Sequence, residues 1–142
     1  MTLSARVVDP GRGVDVSVDL AAGEVLAVLG PNGAGKSTLL GAIAGLLRPA
    51  RTEVRVGERV LSGERTWVPP HRRSVALLAQ EPRLFPHLSV LDNVAFGPRS
   101  LGLADADRVA VDWLHRVGMG DLADRRPRSL SGGQAQRVAI AR

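Results

Sequence analysis

The feature that most constrains this chain is the loop Gly30-Pro31-Asn32-Gly33-Ala34-Gly35-Lys36-Ser37-Thr38, set between an apolar run and a helical pattern. Val25 to Leu29 is continuously apolar and of strand length, which predicts a parallel strand buried on both faces. After the loop, Leu39, Leu40, Ile43, Leu46 and Leu47 recur at helical spacing up to Arg48-Pro49, where proline is expected to end the helix. Gly30, Gly35, Lys36 and Ser37 satisfy the G-x-x-x-x-G-K-[ST] phosphate-loop pattern, whose chance occurrence in a chain of this composition is on the order of one in a thousand. A strand, a glycine loop and a helix in that order restrict the fold to the α/β class.

The residue types follow from the chemistry of a polyphosphate. Glycines let backbone N–H groups turn inward and come close to phosphate oxygens, where a Cβ would obstruct them. The helix that follows adds unpaired N–H groups and its positive dipole end. Lys36 is the only lysine among 19 basic residues. Its compact ammonium suits the β- and γ-phosphates better than the planar fork of an arginine. The Ser37 hydroxyl is the expected Mg²⁺ ligand. The loop therefore predicts a nucleoside triphosphate site.

Composition excludes other classes. The chain has 142 residues, 44% hydrophobic and 23% charged, which fits one globular domain or part of one. Its longest uncharged apolar stretch, Ser37 to Leu47, falls short of the ~18 residues of a membrane span. Residues 1–12 lack an apolar signal region, and the absence of cysteine removes disulfides and thiolate chemistry. A soluble intracellular protein is expected. The net charge of +5 comes from arginines scattered along the chain, the tightest group being Arg125, Arg126 and Arg128. With only Trp67, Phe85, Phe96 and Trp113 as aromatics, no stacking platform is available, and nucleic acid is not an expected partner.

A second motif lies 94 residues after Lys36: Leu130-Ser131-Gly132-Gly133-Gln134, followed by a helical stretch to Arg142. A hydroxyl and two glycines at a helix start form another anion-binding nest. Between the two motifs, Gln80 ends the apolar, strand-like run Val75 to Ala79. The ordered trio of phosphate loop, glutamine and LSGGQ resembles the ATP-binding cassette (ABC) ATPases over essentially the whole chain. The resemblance implies that Gly30 to Thr38 wrap the phosphates of ATP. It gives Lys36 and Gln80 catalytic roles and makes Ser37 and Gln80 ligands of Mg²⁺. Ser131, Gly132, Gly133 and Gln134 would face the γ-phosphate of ATP on a second subunit, in a head-to-tail dimer.

The resemblance also implies a phosphate-loop (RecA-like) core with an antiparallel β subdomain over about 1–80, a helical subdomain over about 82–128, and the signature motif with its helix over 129–142. Val14 to Leu20 and Thr52 to Val56 read as strands. Ser89-Val-Leu-Asp92 has capping-box spacing and should open a short helix through Phe96. Asp105 should cap a helix that carries Val109, Trp113, Leu114 and Val117 and ends at Gly118, with Trp113 in the core. The stretches Pro69-Pro-His-Arg-Arg-Ser and Gln80-Glu-Pro-Arg-Leu-Phe-Pro-His-Leu-Ser-Val are similar to the importer branch, above all to ATPases importing molybdate and related oxyanions. Transmembrane permease subunits, a solute-binding protein and a peripheral position on the cytoplasmic face of the membrane are implied. Pro86-His87 would belong to the permease contact. A non-catalytic nucleotide-binding module and a soluble ABC regulator are the alternatives.

The chain departs from the family pattern in two places. No aromatic residue occurs in 1–66 to stack on adenine, which leaves the guanidinium of Arg6 or an apolar contact from Val7. No apolar run after Gln80 ends in Asp-Glu, so the sequence reads as an amino-terminal fragment, truncated before the Walker B strand and inactive alone.

Overall fold

In the computed structural model, which describes residues 2–142, Leu3–Asp9 (β1) and Val14–Leu20 (β2) form an antiparallel hairpin around a 3-10 turn at Pro10–Arg12. Arg51–Val56 (β3) pairs antiparallel with the other edge of β1, and Arg59–Ser62 (β4) pairs with β3. The sheet order is β2-β1-β3-β4. Side chains alternate between faces along β1. Ala5 and Val7 are buried, whereas Arg6 lies on the other face and pairs with Asp15 at 3.5 Å. The helix Lys36–Ala44 (α1) covers the apolar face: Leu39 and Ala42 pack with Val7 and Val14. Burying a leucine such as Leu39 contributes about 1.5–3 kcal/mol.

The structure corrects several expectations for this unit. Val25 to Leu29 makes no ladder, and Val25 and Leu29 are 92% and 89% exposed. Val75 to Ala79 is likewise unpaired. An apolar run becomes a strand only when a neighbour accepts its hydrogen bonds, and no described segment pairs with either one. The helix ends at Ala44, ahead of Arg48-Pro49. Gly45 adopts φ 79°, its N–H donates to Ala42 O, and the Leu46 N–H donates to Gly41 O. This pattern of a left-handed glycine with crossed bonds stops the helix before proline can.

Gly45 has a second reason to lack a side chain. A Cβ there would lie 2.3 Å from Nε of Arg73. Arg73 is 1% exposed and faces no carboxylate among the described residues. Its guanidinium donates to Val68 O at 2.7 Å, to Ala42 O and Ile43 O at 3.0 Å, and to Ser62 Oγ at 2.8 Å. Its carbon also sits 4.4 Å from the Trp67 ring centroid. Burial lowers its pKa from the ordinary value. The cation meets the carbonyl end of α1, where the helix dipole is negative.

The chain divides into two compact units, Met1–Leu77 and Leu78–Arg142. The second is helical: Val90–Ser100 (α2), Ala106–Arg116 (α3) and Gly132–Ala141 (α4). Val90, Val94, Ala110, Leu114, Met119 and Val138 form its core. Ser89 caps α2 by accepting from Asp92 N–H, and its hydroxyl, together with Arg99, holds the Asp92 carboxyl below its usual pKa. The helix runs four residues past Phe96, with Pro98 in its final turn. Asp105 opens α3 as expected, but its carboxylate pairs with Arg108 and makes no cap bond. Trp113 is not in the core. It is 44% exposed and lies under the guanidinium of Arg116.

Arg73→Leu should lower stability by about 3 kcal/mol, because four acceptors lose their donor inside the unit. Arg73→Lys should recover only part of this, since one ammonium cannot span them. Denaturant midpoints of the three proteins check this; a midpoint for Arg73→Leu equal to that of the parent would contradict it.

Candidate functional site

The glycine loop stands at the N-terminus of α1. Gly33 and Gly35 lie at φ 88° and 87°, which turns successive amides toward one side. Gly35 has a steric reason as well, because a Cβ there would sit 2.5 Å from Cγ2 of Val14. The hairpin β1–β2 therefore presses directly on the loop. Within it the Ala34 N–H donates to Pro31 O at 3.2 Å. Among the described residues, the amides of Gly33, Gly35, Lys36, Ser37 and Thr38 find no protein acceptor.

Lys36 folds back across this concavity. Its Nζ donates to Gly30 O at 2.7 Å and to Pro31 O at 2.8 Å, which leaves the third ammonium hydrogen for an external acceptor. A row of free amides, a helix dipole and one cation fit a polyphosphate. The hydroxyls of Ser37 and Thr38 stand on the first turn; Ser37 is exposed and Thr38 is buried. All residues from Gly30 to Thr38 belong to one assembly inside the first unit.

The two candidates for base contact lie on opposite faces of β1. Val7 is fully buried between the sheet and α1, and Arg6 is on the sheet face away from α1. The alternation of β1 decides both positions.

The other sequence motifs lie in the second unit. Ser131 caps α4: its Oγ accepts from Gln134 N–H at 3.3 Å, and Gln134 Oε1 accepts from Ser131 N–H at 2.9 Å. The S-x-x-Q spacing is the sequence signal for this reciprocal capping box, which goes beyond the expected helix start at Ser131. Gly132 and Gly133 are exposed at the first turn, and nothing lies within 4 Å of a Cβ built at either. Gln80 is exposed at an open cavity lined by Ala79, Gln80, Glu81 and Arg83. Gln136 of α4 donates to Ala79 O at 3.3 Å, a contact with no signal in the sequence. No group of His, Asp and Glu residues able to hold a metal by themselves occurs among the described residues.

Comparison with known proteins agrees with this geometry. The family model described as ABC transporter matches residues 14–142, and the chain belongs to that family. It is 55% identical to the molybdenum import ATP-binding protein ModC of Mycobacterium tuberculosis (strain H37Rv), over 99% of this chain and 40% of that protein. It is 48% identical to the putative 2-aminoethylphosphonate import ATP-binding protein PhnT of Salmonella typhi, over 89% of this chain and 34% of the relative. Identity to the thiamine import ATP-binding protein ThiQ of Chelativorans sp. (strain BNC1) is 44%, over 93% and 53% respectively. The chain thus spans between a third and about half of the length of these relatives. No helix of the described residues is long and apolar enough to cross a membrane.

Gly35→Ala should cost about 2 kcal/mol, from the left-handed backbone and the encounter with Val14. Gly33→Ala, where the surroundings are open, should cost only about 1 kcal/mol. Thermal unfolding of the two variants checks the order, and equal losses would contradict it.

Proposed function

We propose that this chain is the nucleotide-binding portion of an ATPase subunit that drives solute import, with molybdate or a related oxyanion as the transported solute. The observation that carries the reading is the set of free amides at the start of α1 with Lys36 folded over them. The import ATP-binding proteins at 44–55% identity support the class of process, and ModC at the upper end supports the oxyanion.

In this reading the amides of Gly33, Gly35 and Lys36 hold the β- and γ-phosphates, and the Lys36 ammonium exchanges its loop carbonyls for phosphate oxygens. Such preorganised donors supply most of the catalysis in phosphoryl transfer, because little covalent chemistry is asked of the protein. The Ser37 hydroxyl and the Gln80 carboxamide would hold Mg²⁺, which neutralises charge on the β- and γ-oxygens when bound. Ser131, Gly132, Gly133 and Gln134 would present the N-terminus of α4 to the γ-phosphate of a second subunit. Ser131 and Gln134 cap that helix by themselves, so its amides are preorganised before any phosphate arrives.

The partners of this reading are a second ATP-binding subunit placed head to tail, transmembrane permease subunits and a solute-binding protein. The loop from Gln80 to His87 would face the permease at the cytoplasmic side of the membrane. The exposed apolar stretch Val25 to Leu29 fits a RecA-like core in which further strands complete a parallel sheet. The two units would then correspond to a core with its β subdomain and to a helical subdomain bearing the signature motif.

In the full-length protein, Lys36→Ala should abolish ATP turnover and weaken ATP binding, and Lys36→Arg should not restore turnover. Phosphate release by the arginine variant at the parental rate would overturn the assignment.

A further inference from the structure

The loop that carries Gln80 is fixed at both ends by one helix. Gln136, in the second turn of α4, donates its carboxamide N–H to Ala79 O at 3.3 Å. Arg142, just beyond the helix end, donates Nη1 to Arg83 O at 3.0 Å. The same guanidinium stacks 4.9 Å from the centroid of the Phe85 ring. Between these two ties lie only Gln80, Glu81 and Pro82, all of them connected to Arg83, a non-glycine residue at φ 46°. The left-handed backbone turns the chain sharply there, at a cost of roughly 1–2 kcal/mol that the surrounding contacts must hold in place.

The far side of the loop is anchored as well. Asn93 on α2 is fully buried, accepts from Phe85 N–H at 2.7 Å and donates to Phe85 O at 3.1 Å. Its amide also donates to Ser89 O at 2.8 Å, so residues 85–89 are bound to α2. Since α2 and α4 share one core, Gln80 has no independent mount. Its three-residue span hangs from α4 through carbonyls on either side.

We propose that Gln136 and Arg142 are positioning residues for Gln80, holding its loop to the helix that Ser131 opens so that the two move as one body. This rests on the ATPase reading, in which Gln80 acts at the nucleotide. Neither residue needs to touch nucleotide or metal. Their role is to set where the Gln80 carboxamide is presented, and to transmit any displacement of the Ser131 nest to it. A loop free to drift by an ångström would present that carboxamide only part of the time.

A double-mutant cycle on the full-length protein separates this role from general stability. Gln136→Leu keeps the length of the side chain but removes the donor. It should lower kcat roughly tenfold with little change in KM for Mg-ATP, within the range of coupling seen between contacting residues. In a Gln80→Ala background the same substitution should have no further effect. Arg142→Met should behave alike. A full loss on top of Gln80→Ala, or no loss in the parent, would overturn the proposal. If the unmutated protein shows no ATP turnover, the ATPase reading falls, and hydrogen exchange then decides the tie. In Gln136→Leu and Arg142→Met the amides of Ala79, Gln80, Glu81 and Arg83 should exchange faster, with those of Val94, Leu114 and Val138 unchanged. Unchanged exchange at those four amides would overturn it.

Discussion

A single buried guanidinium organises the first unit. Arg73 satisfies the carbonyl end of α1 through Ala42 and Ile43, reaches β4 through Ser62, and closes its own segment through Val68. Four acceptors and no carboxylate is an unusual arrangement for a buried cation. It is tolerated here because two of the acceptors are at the negative end of a helix dipole and the Trp67 ring lies against the guanidinium. The consequence reaches the other end of the same helix. By fixing the C-terminus of α1 against the sheet, Arg73 also fixes where its N-terminal amides stand. The cation at one end and the glycine loop at the other face opposite ends of one dipole.

The loop depends on a second contact, between Gly35 and Val14. Because no side chain fits between them, the β1–β2 hairpin and the glycine loop are in direct contact. The helix–loop unit is therefore held from both sides: from the sheet face by Val7 and Val14, and from the far end by Arg73. The second unit solves a similar problem by different means. It uses a reciprocal serine–glutamine cap to build the start of α4, and a buried asparagine with two side-chain ties to hold the loop of Gln80.

Features that depend on local chemistry were legible in the sequence. The Gly30–Thr38 loop, the Ser89 and Ser131 helix starts and the α3 helix follow from residue types at fixed spacings. Features that depend on distant neighbours were not. Val25 to Leu29 has the composition of a buried strand, but pairing requires a second segment beside it, and the run alone does not specify one. Trp113 looks like core by type, yet α3 turns Leu114 and Ala110 inward and leaves the indole to Arg116. Arg73 was invisible as one of 18 arginines, and only its placement beside Gly45 distinguishes it. The ties of Gln136 and Arg142 to the Gln80 loop cross more than 50 residues of sequence and leave no local trace.

The central claim is that the amides at the start of α1 are a polyphosphate site. The most direct measurement is a backbone amide NMR titration of the 142-residue chain with Mg-ATP, inorganic triphosphate and adenosine in turn. The account predicts saturable shifts at Gly33, Gly35, Lys36 and Ser37 with the first two ligands and none there with adenosine. Shifts centred instead on the Arg125–Arg128 surface, or an equal response to adenosine, would contradict it.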